Sequence, residues 1–248
     1  MAICIAAAQS SSVAGDLEAN VRTHLRFIDA ALAHGVELLV FPELSVSGYE
    51  LPLLRDIALA PDDDRLAPIR QAAIAAGMTV VVGAPLAGDG EAQPHIAAFA
   101  YRSDGTAAVY RKQYLHAGEE RYVRAGRIEA HGDALNGHRY ALAICADTTH
   151  RAHAAAAAEA GASLYLAGVL ISRGGYEHDA ALLKRYSADF GMGVLMANHA
   201  APSGGYDVAG RSAFWSAGGA LLVRADGPGD CLVIARDDGG WQGKVVRV

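Results

Sequence analysis

The chain alternates between short runs of consecutive apolar residues and longer stretches in which apolar residues recur every three or four positions. "AICIAAAQ" at 2–9, "VELLVF" at 36–41 and "MTVVVGAPL" at 78–86 are runs of the first kind, expected of strands buried on both faces. Between the first two, Leu17, Val21, Leu25, Ile28 and Leu32 keep helical spacing, with Asp16 at the N-cap position and Gly35 ending the pattern. A second helical stretch runs from about Arg65 to Ala76 and closes at Gly77. Strand, helix, strand, helix, strand is the signature of βαβ units.

The middle of the chain changes character. "IAAFAYRSDGTAAVYRK" at 96–112 reads as two short strands joined through Ser103-Asp104-Gly105, an antiparallel hairpin. There follow the strand "YALAIC", an alanine-rich helix near His150 to Ala160, the strand "ASLYLAGVLI", a helix around His178 to Phe190 and the strand "GVLMAN". Two late β segments, "SAFWSAGGALLVRA" and "DCLVIARDD", end the chain. Gly88-Asp89-Gly90 and Gly204-Gly205 read as turns, not phosphate cradles, because neither precedes a good helix start. With no linker composition and no repeat, the pattern predicts a single α/β domain over 1–248, a mixed-sheet sandwich.

Composition narrows the function. A net charge of -6, with no run of Lys or Arg longer than two, gives no electrostatic footprint for nucleic acid. No segment approaches the ~20 apolar residues of a membrane span, so no membrane association is expected. Cys4, Cys145 and Cys231 lie far apart with no CxxC pair, which suggests neither a disulfide framework nor a cysteine zinc site and fits a cytoplasmic protein. Small-molecule chemistry is the expectation left standing.

Three reactive side chains follow strands: Glu43 after "VELLVFP", Lys112 after "TAAVYR" and Cys145 after "YALAI". Strand ends are where loops gather and ligands bind in layered α/β proteins. Together the three would supply a base, a cation for an oxyanion and a nucleophile. Taken singly, each has a plain structural reading: a buried small hydrophobe for the cysteine, solvated charges for the other two. His150 and His153 stand i, i+3 in a helical stretch, but no third ligand accompanies them and no metal site is assigned. Asn198 and His199 follow "GVLMA" and read either as reaching the pocket or as a satisfied polar turn.

The sequence around these residues resembles the nitrilase superfamily, the carbon–nitrogen hydrolases. "FPELSVSGYE" is similar to the family's F-P-E-x-x-x-x-G-Y motif, "YRKQYLHAGEERYVRAG" to its second motif, and "ICAD" to the Cys-x-Asp of its third. The resemblance implies an α-β-β-α sandwich of two mixed sheets covered by helices, no cofactor, and a homodimer or higher homo-oligomer. It implies a catalytic triad on Glu43, Lys112 and Cys145. The family's second glutamate, seven residues before the glycine closing the second motif, falls on Glu119, with Glu120 beside it. Tyr49 of the first motif would line the mouth of the site, with Ala146, Ala167 and Asn198 as further substrate-binding positions.

Departures from the family pattern are local. The aromatic residue that commonly follows the cysteine is Ala146 here, and the usual histidine after the lysine is Tyr114. The small pair Ala167-Gly168 would leave room near the thiol, and Asp147 is expected to anchor the turn. The implied reaction is hydrolysis of a small aliphatic amide or carbamoyl compound through a thioester, releasing ammonia. Nitrile hydrolysis, acyl transfer to an amine, and a carboxamide-binding relic without turnover are the alternatives.

Overall fold

Two β-sheets lie face to face, and each is covered by helices on its outer side. The structure, a computed structural model, describes residues 2–88, 90, 92–128 and 132–248; Asp89 of the expected Gly88-Asp89-Gly90 turn lies outside them. The elements in chain order are β1 (Ile3–Gln9), α1 (Leu17–Ala33), β2 (Leu38–Val40), α2 (Ala67–Ala75), β3 (Thr79–Leu86), β4 (His95–Tyr101), β5 (Ala107–Arg111), β6 (Asp133–Leu135) and β7 (His138–Ile144). Then come α3 (Arg151–Glu159), β8 (Leu164–Val169), α4 (Tyr176–Phe190), β9 (Gly193–Asn198), β10 (Ala213–Trp215), β11 (Leu221–Arg224), β12 (Cys231–Asp237) and β13 (Trp241–Arg247).

One sheet has the order β13-β12-β1-β2-β3-β4-β5, and the other β11-β10-β9-β8-β7-β6. Both are mixed: β1-β2-β3 and β7-β8-β9 run parallel, and their flanks are antiparallel. Strand alternation divides the apolar residues into three cores. Ile3, Ile5 and Ala7 of β1 meet Tyr140, Leu142 and Ile144 of β7 between the sheets. Cys4, Ala6 and Ala8 turn outward onto Phe27, Ile28 and Ile69 of the first helix pair. Ala141, Ala143, Tyr165 and Ala167 turn outward onto Ala154, Leu183 and Tyr186 of the second. The α-β-β-α sandwich expected from the family resemblance is the architecture found.

Local signals account for the helix ends. The Asp16 carboxylate accepts the Ala19 N–H at 2.9 Å, closing the start of α1, and Gly35 leaves it at φ 65. The buried face of α1 is Asn20, Val21, His24, Phe27, Ile28 and Ala31, whereas Leu32, counted in the sequence stripe, is 49% exposed. The strand β13 was not anticipated. It pairs along β12 at the sheet edge, and most of its residues are exposed, so it carries no apolar run to read.

Candidate active site

Glu43, Lys112 and Cys145 each stand one to three residues beyond the end of a strand, β2, β5 and β7 respectively. The first two belong to one sheet and the third to the other, so their meeting depends on how closely the sheet ends approach. Glycine makes that approach feasible at two positions. A Cβ on Gly83 of β3 would lie 2.3 Å from Pro42 O, and one on Gly168 of β8 would lie 2.7 Å from Phe41 O. The turn carrying Glu43 is thus pressed against backbone from its own sheet and from the opposite one.

The charges form a tight buried cluster. Lys112 Nζ lies 2.6 Å from Glu43 Oε1 and 2.7 Å from Glu119 Oε1, and all three side chains are at most 1% exposed. Glu119 is fixed from behind by the Tyr49 hydroxyl, which donates to Oε1 at 2.5 Å, and by His116 N–H, which donates to Oε2 at 2.8 Å. Glu120 is exposed and instead accepts Gly118 N–H. Of the two adjacent glutamates, Glu119 is therefore the one that touches Lys112.

Desolvation sets the protonation states. Burial raises the Glu43 carboxyl to about 7; Lys112 pulls it down and Glu119 pushes it further up. Burial alone would lower the Lys112 ammonium, but the neighbouring Glu43 and Glu119 carboxylates outweigh it and hold the group protonated. Burial, then the Glu43 charge, pushes the Cys145 thiol well above its ordinary value, and Lys112 opposes this only in part. The resting sulfur is a thiol. The positive field of Lys112 does not overcome burial here.

Glu43 Oε2 is buried with no partner in hydrogen-bond range. Cys145 sits at φ 41, a left-handed conformation unusual for a side chain with a Cβ, at the start of a tight turn over 145–149. Its thiol donates to Leu170 O at 3.5 Å. The N–H groups at the start of such a turn have no partner within it, and Ala146 N–H is one of them.

Asp147 holds that turn. Its Oδ1 accepts the N–H groups of Gln113 and Tyr114 at 3.0 and 2.8 Å. Its Oδ2 accepts Ile144 N–H at 2.9 Å and the Tyr110 hydroxyl at 2.5 Å. One carboxylate thereby ties the segment after Lys112 to the segment carrying Cys145. Behind it Tyr110 meets His153 Nε2 at 2.8 Å, and His153 Nδ1 meets Tyr165 at 2.8 Å. His150 stacks on Tyr114 with ring centroids 3.9 Å apart. The two histidines therefore diverge, and among the described residues no group of His, Cys, Asp or Glu could hold a metal ion.

Other positions differ from expectation. Asn198 is fully buried, and its amide is spent on backbone: Oδ1 accepts Ile171 and His199 N–H, while Nδ2 donates to Ile171 and Gly210 carbonyls. It braces the strand end and has no group left for a ligand, so the satisfied polar turn is the reading that holds. Ala167 points its methyl into the core under α3 and α4. Gly168, one residue on, occupies the side facing the Glu43 turn, because side chains alternate along a strand. Ala146 is 5% exposed, and its carbonyl accepts the Thr149 hydroxyl at 2.9 Å.

Sequence reasoning missed the groups that brace Glu43. His24 donates Nδ1–H to Asn20 O at 2.7 Å and accepts the Ser45 hydroxyl on Nε2 at 2.9 Å, two residues from Glu43. It also stacks on Phe41 at 4.0 Å. A histidine inside the apolar stripe of α1 was the available signal.

Paired mixed sheets between helix layers, with a thiol, carboxylates and an ammonium meeting at their strand ends, define the nitrilase-fold class of enzymes. The carbon–nitrogen hydrolase family model matches residues 4–238, and the chain belongs to that family. Solved structures of the amidase from Nesterenkonia sp. AN1, a nitrilase-superfamily protein, have the same fold. A mutant of that amidase carrying acrylamide added at its active-site cysteine is 24% identical, with TM-score 0.86 over 94% of this chain and 92% of that one. A mutant in complex with butyramide is 23% identical, with TM-score 0.87 over 96% and 91%. A third, bearing the acetamide moiety of fluoroacetamide at the cysteine, is 24% identical, with TM-score 0.87 over 95% and 90%. No helix among the described residues is long and apolar enough to cross a membrane.

Proposed function

We propose that this carbon–nitrogen hydrolase is an amidase that cleaves a small aliphatic amide through a thioester on Cys145, releasing ammonia. The observation that supports the reading is a fully buried Glu43 carboxyl whose Oε2 has no hydrogen-bond partner and whose other oxygen is bound by Lys112, with the Cys145 thiol close enough to act electrostatically on both. A carboxyl with a pKa of about 7 can accept a proton and return it near neutral pH.

The proposed steps use these groups in turn. Glu43 takes the Cys145 proton as sulfur attacks the amide carbon, so thiolate forms only as the new S–C bond does. The carbonyl oxygen becomes an oxyanion facing Lys112 Nζ and the Ala146 N–H. As the tetrahedral adduct collapses, Glu43 gives its proton to the leaving nitrogen, the C–N bond breaks and ammonia departs. Water then attacks the thioester with Glu43 again as base, yielding carboxylate and free thiol. Glu119, held by Tyr49, keeps Lys112 in place and adds the negative charge that keeps Glu43 basic.

The acyl group is expected to be short and uncharged, in keeping with the butyramide bound by the Nesterenkonia amidase. The test is ammonia release from a panel of C2–C6 amides beside the matched nitriles. Turnover of amides, abolished in Cys145→Ala, is the expected result. Turnover of the nitriles alone would replace the amidase reading with nitrile hydrolysis, and turnover of neither would refute it.

A further inference from the structure

His199 is completely buried at the end of β9, takes no part in the steps above, and makes its contact with the main chain of Glu43. Its Nε2 lies 2.7 Å from Glu43 O. A carbonyl can only accept, so Nε2 carries the proton and Nδ1 is a bare lone pair, buried without a partner. Burial lowers the imidazole to about 4, against the effect of the Glu43 bond, so the ring stays neutral at working pH.

The carbonyl it holds belongs to the Glu43–Leu44 peptide, and Leu44 stands at φ 50. Left-handed backbone at a leucine persists only where its surroundings fix it. Val46 N–H donates to Gly83 O at 3.0 Å and Ser45 N–H to Pro42 O at 3.2 Å, and Ser45 is held in turn by His24. These bonds secure the turn after Leu44. His199 alone among the side chains described here secures the Glu43 carbonyl from the opposite sheet. The other left-handed residue of the site, Cys145, has its own carbonyl held locally by the Thr148 hydroxyl of the same turn at 2.7 Å.

We propose that His199 is a positioning residue for Glu43: its Nε2–H holds the Glu43 carbonyl and thereby keeps the carboxylate between Lys112 and the Cys145 thiol. The inference rests on Glu43 acting as the base, and the experiment separates the two. The rate at which iodoacetamide alkylates Cys145 is followed against pH by intact mass spectrometry, which needs no substrate. His199→Gln keeps a donor near the Nε2 position; His199→Met keeps the volume and removes the donor.

The wild-type rate is expected to rise with pH through an acid limb near 7, the Glu43 value. His199→Gln should stay within about threefold of it with the same limb, and His199→Met, if folded, should be at least tenfold slower with the limb displaced. With any amide that is turned over, kcat should fall in His199→Met while KM stays put. A folded His199→Met protein alkylated at the wild-type rate, with an unmoved limb, would overturn the proposal. If His199→Met does not fold, 15N NMR of the wild-type ring decides: an Nε2–H neutral tautomer held from pH 8 to pH 5 supports it, and an Nδ1–H tautomer or imidazolium overturns it. Failure of every amide to release ammonia would sink the amidase reading and leave this result standing.

Discussion

Replacing Glu43 with glutamine should make the protein more stable at pH 8 and nearly inactive. Glutamine keeps the shape and an oxygen for the Lys112 contact at 2.6 Å, but it neither accepts the thiol proton nor carries charge. In the folded chain burial raises the Glu43 pKa from 4.5 to about 7. Below the unfolded value the carboxyl is protonated in both states, and its contribution to stability is complete; as pH rises through about 7 that contribution is lost. At about 1.4 kcal/mol per unit, the wild type forfeits about 3 kcal/mol between the two values. Lys112 retains Glu119 at 2.7 Å in the variant and is not left unpaired. Denaturant unfolding at pH 4.5, 6 and 8 should therefore show Glu43→Gln gaining on wild type as pH rises, by up to about 3 kcal/mol. Amide turnover, or Cys145 alkylation, should fall by about 100-fold or more with the loss of the base. A stability difference that stays constant across this range, or that favours wild type increasingly with pH, would refute the raised pKa and with it the assignment of Glu43.

Lys112→Met leaves two carboxylates facing one another in the core, so it should cost about 3–5 kcal/mol of stability near pH 8, an effect that denaturant midpoints would show shrinking at low pH as the carboxyls protonate. Asp147→Asn places an NH2 where Oδ1 or Oδ2 now accepts two donors each, and should destabilise the fold by about 1–3 kcal/mol while slowing Cys145 alkylation, both measurable on one preparation. Gly83→Ala drives a methyl to 2.3 Å from Pro42 O and 2.4 Å from Leu44 N; a loss of about 1–3 kcal/mol and at least tenfold in turnover is expected, whereas Gly77→Ala, with nothing within 4 Å of its Cβ but a φ of 62, should alter stability alone.

The parts of the fold that were legible in the sequence are those whose causes are local. Asp16 and Gly35 bracket α1 through bonds to residues a few positions away, and the apolar runs of β1, β7 and β8 declare burial on both faces. Glu43, Lys112 and Cys145 stood out because each interrupts a strand end and because their flanking motifs resemble a known family. What the sequence hid depends on partners far along the chain. Asn198 and His199 are adjacent polar residues with identical local context, yet one is spent on Ile171 and Gly210 backbone, and the other reaches Glu43 from 156 positions away. Ala167 and Gly168 looked like one small patch until strand alternation sent them to opposite sides. The edge strand β13 was invisible because an exposed ladder leaves no hydrophobic period to read.

Cys145 is the residue proposed to carry the acyl group. Rapid acid quench of the protein with butyramide, followed by intact mass and peptide mapping, tests it most directly, since Cys4 and Cys231 are buried elsewhere and serve as internal controls. The expected result is a gain equal to butyramide minus ammonia on the peptide containing Cys145, removable by hydroxylamine and absent from Cys145→Ala. Ammonia release at the wild-type rate from Cys145→Ala, or the adduct on Cys4 or Cys231, would contradict it.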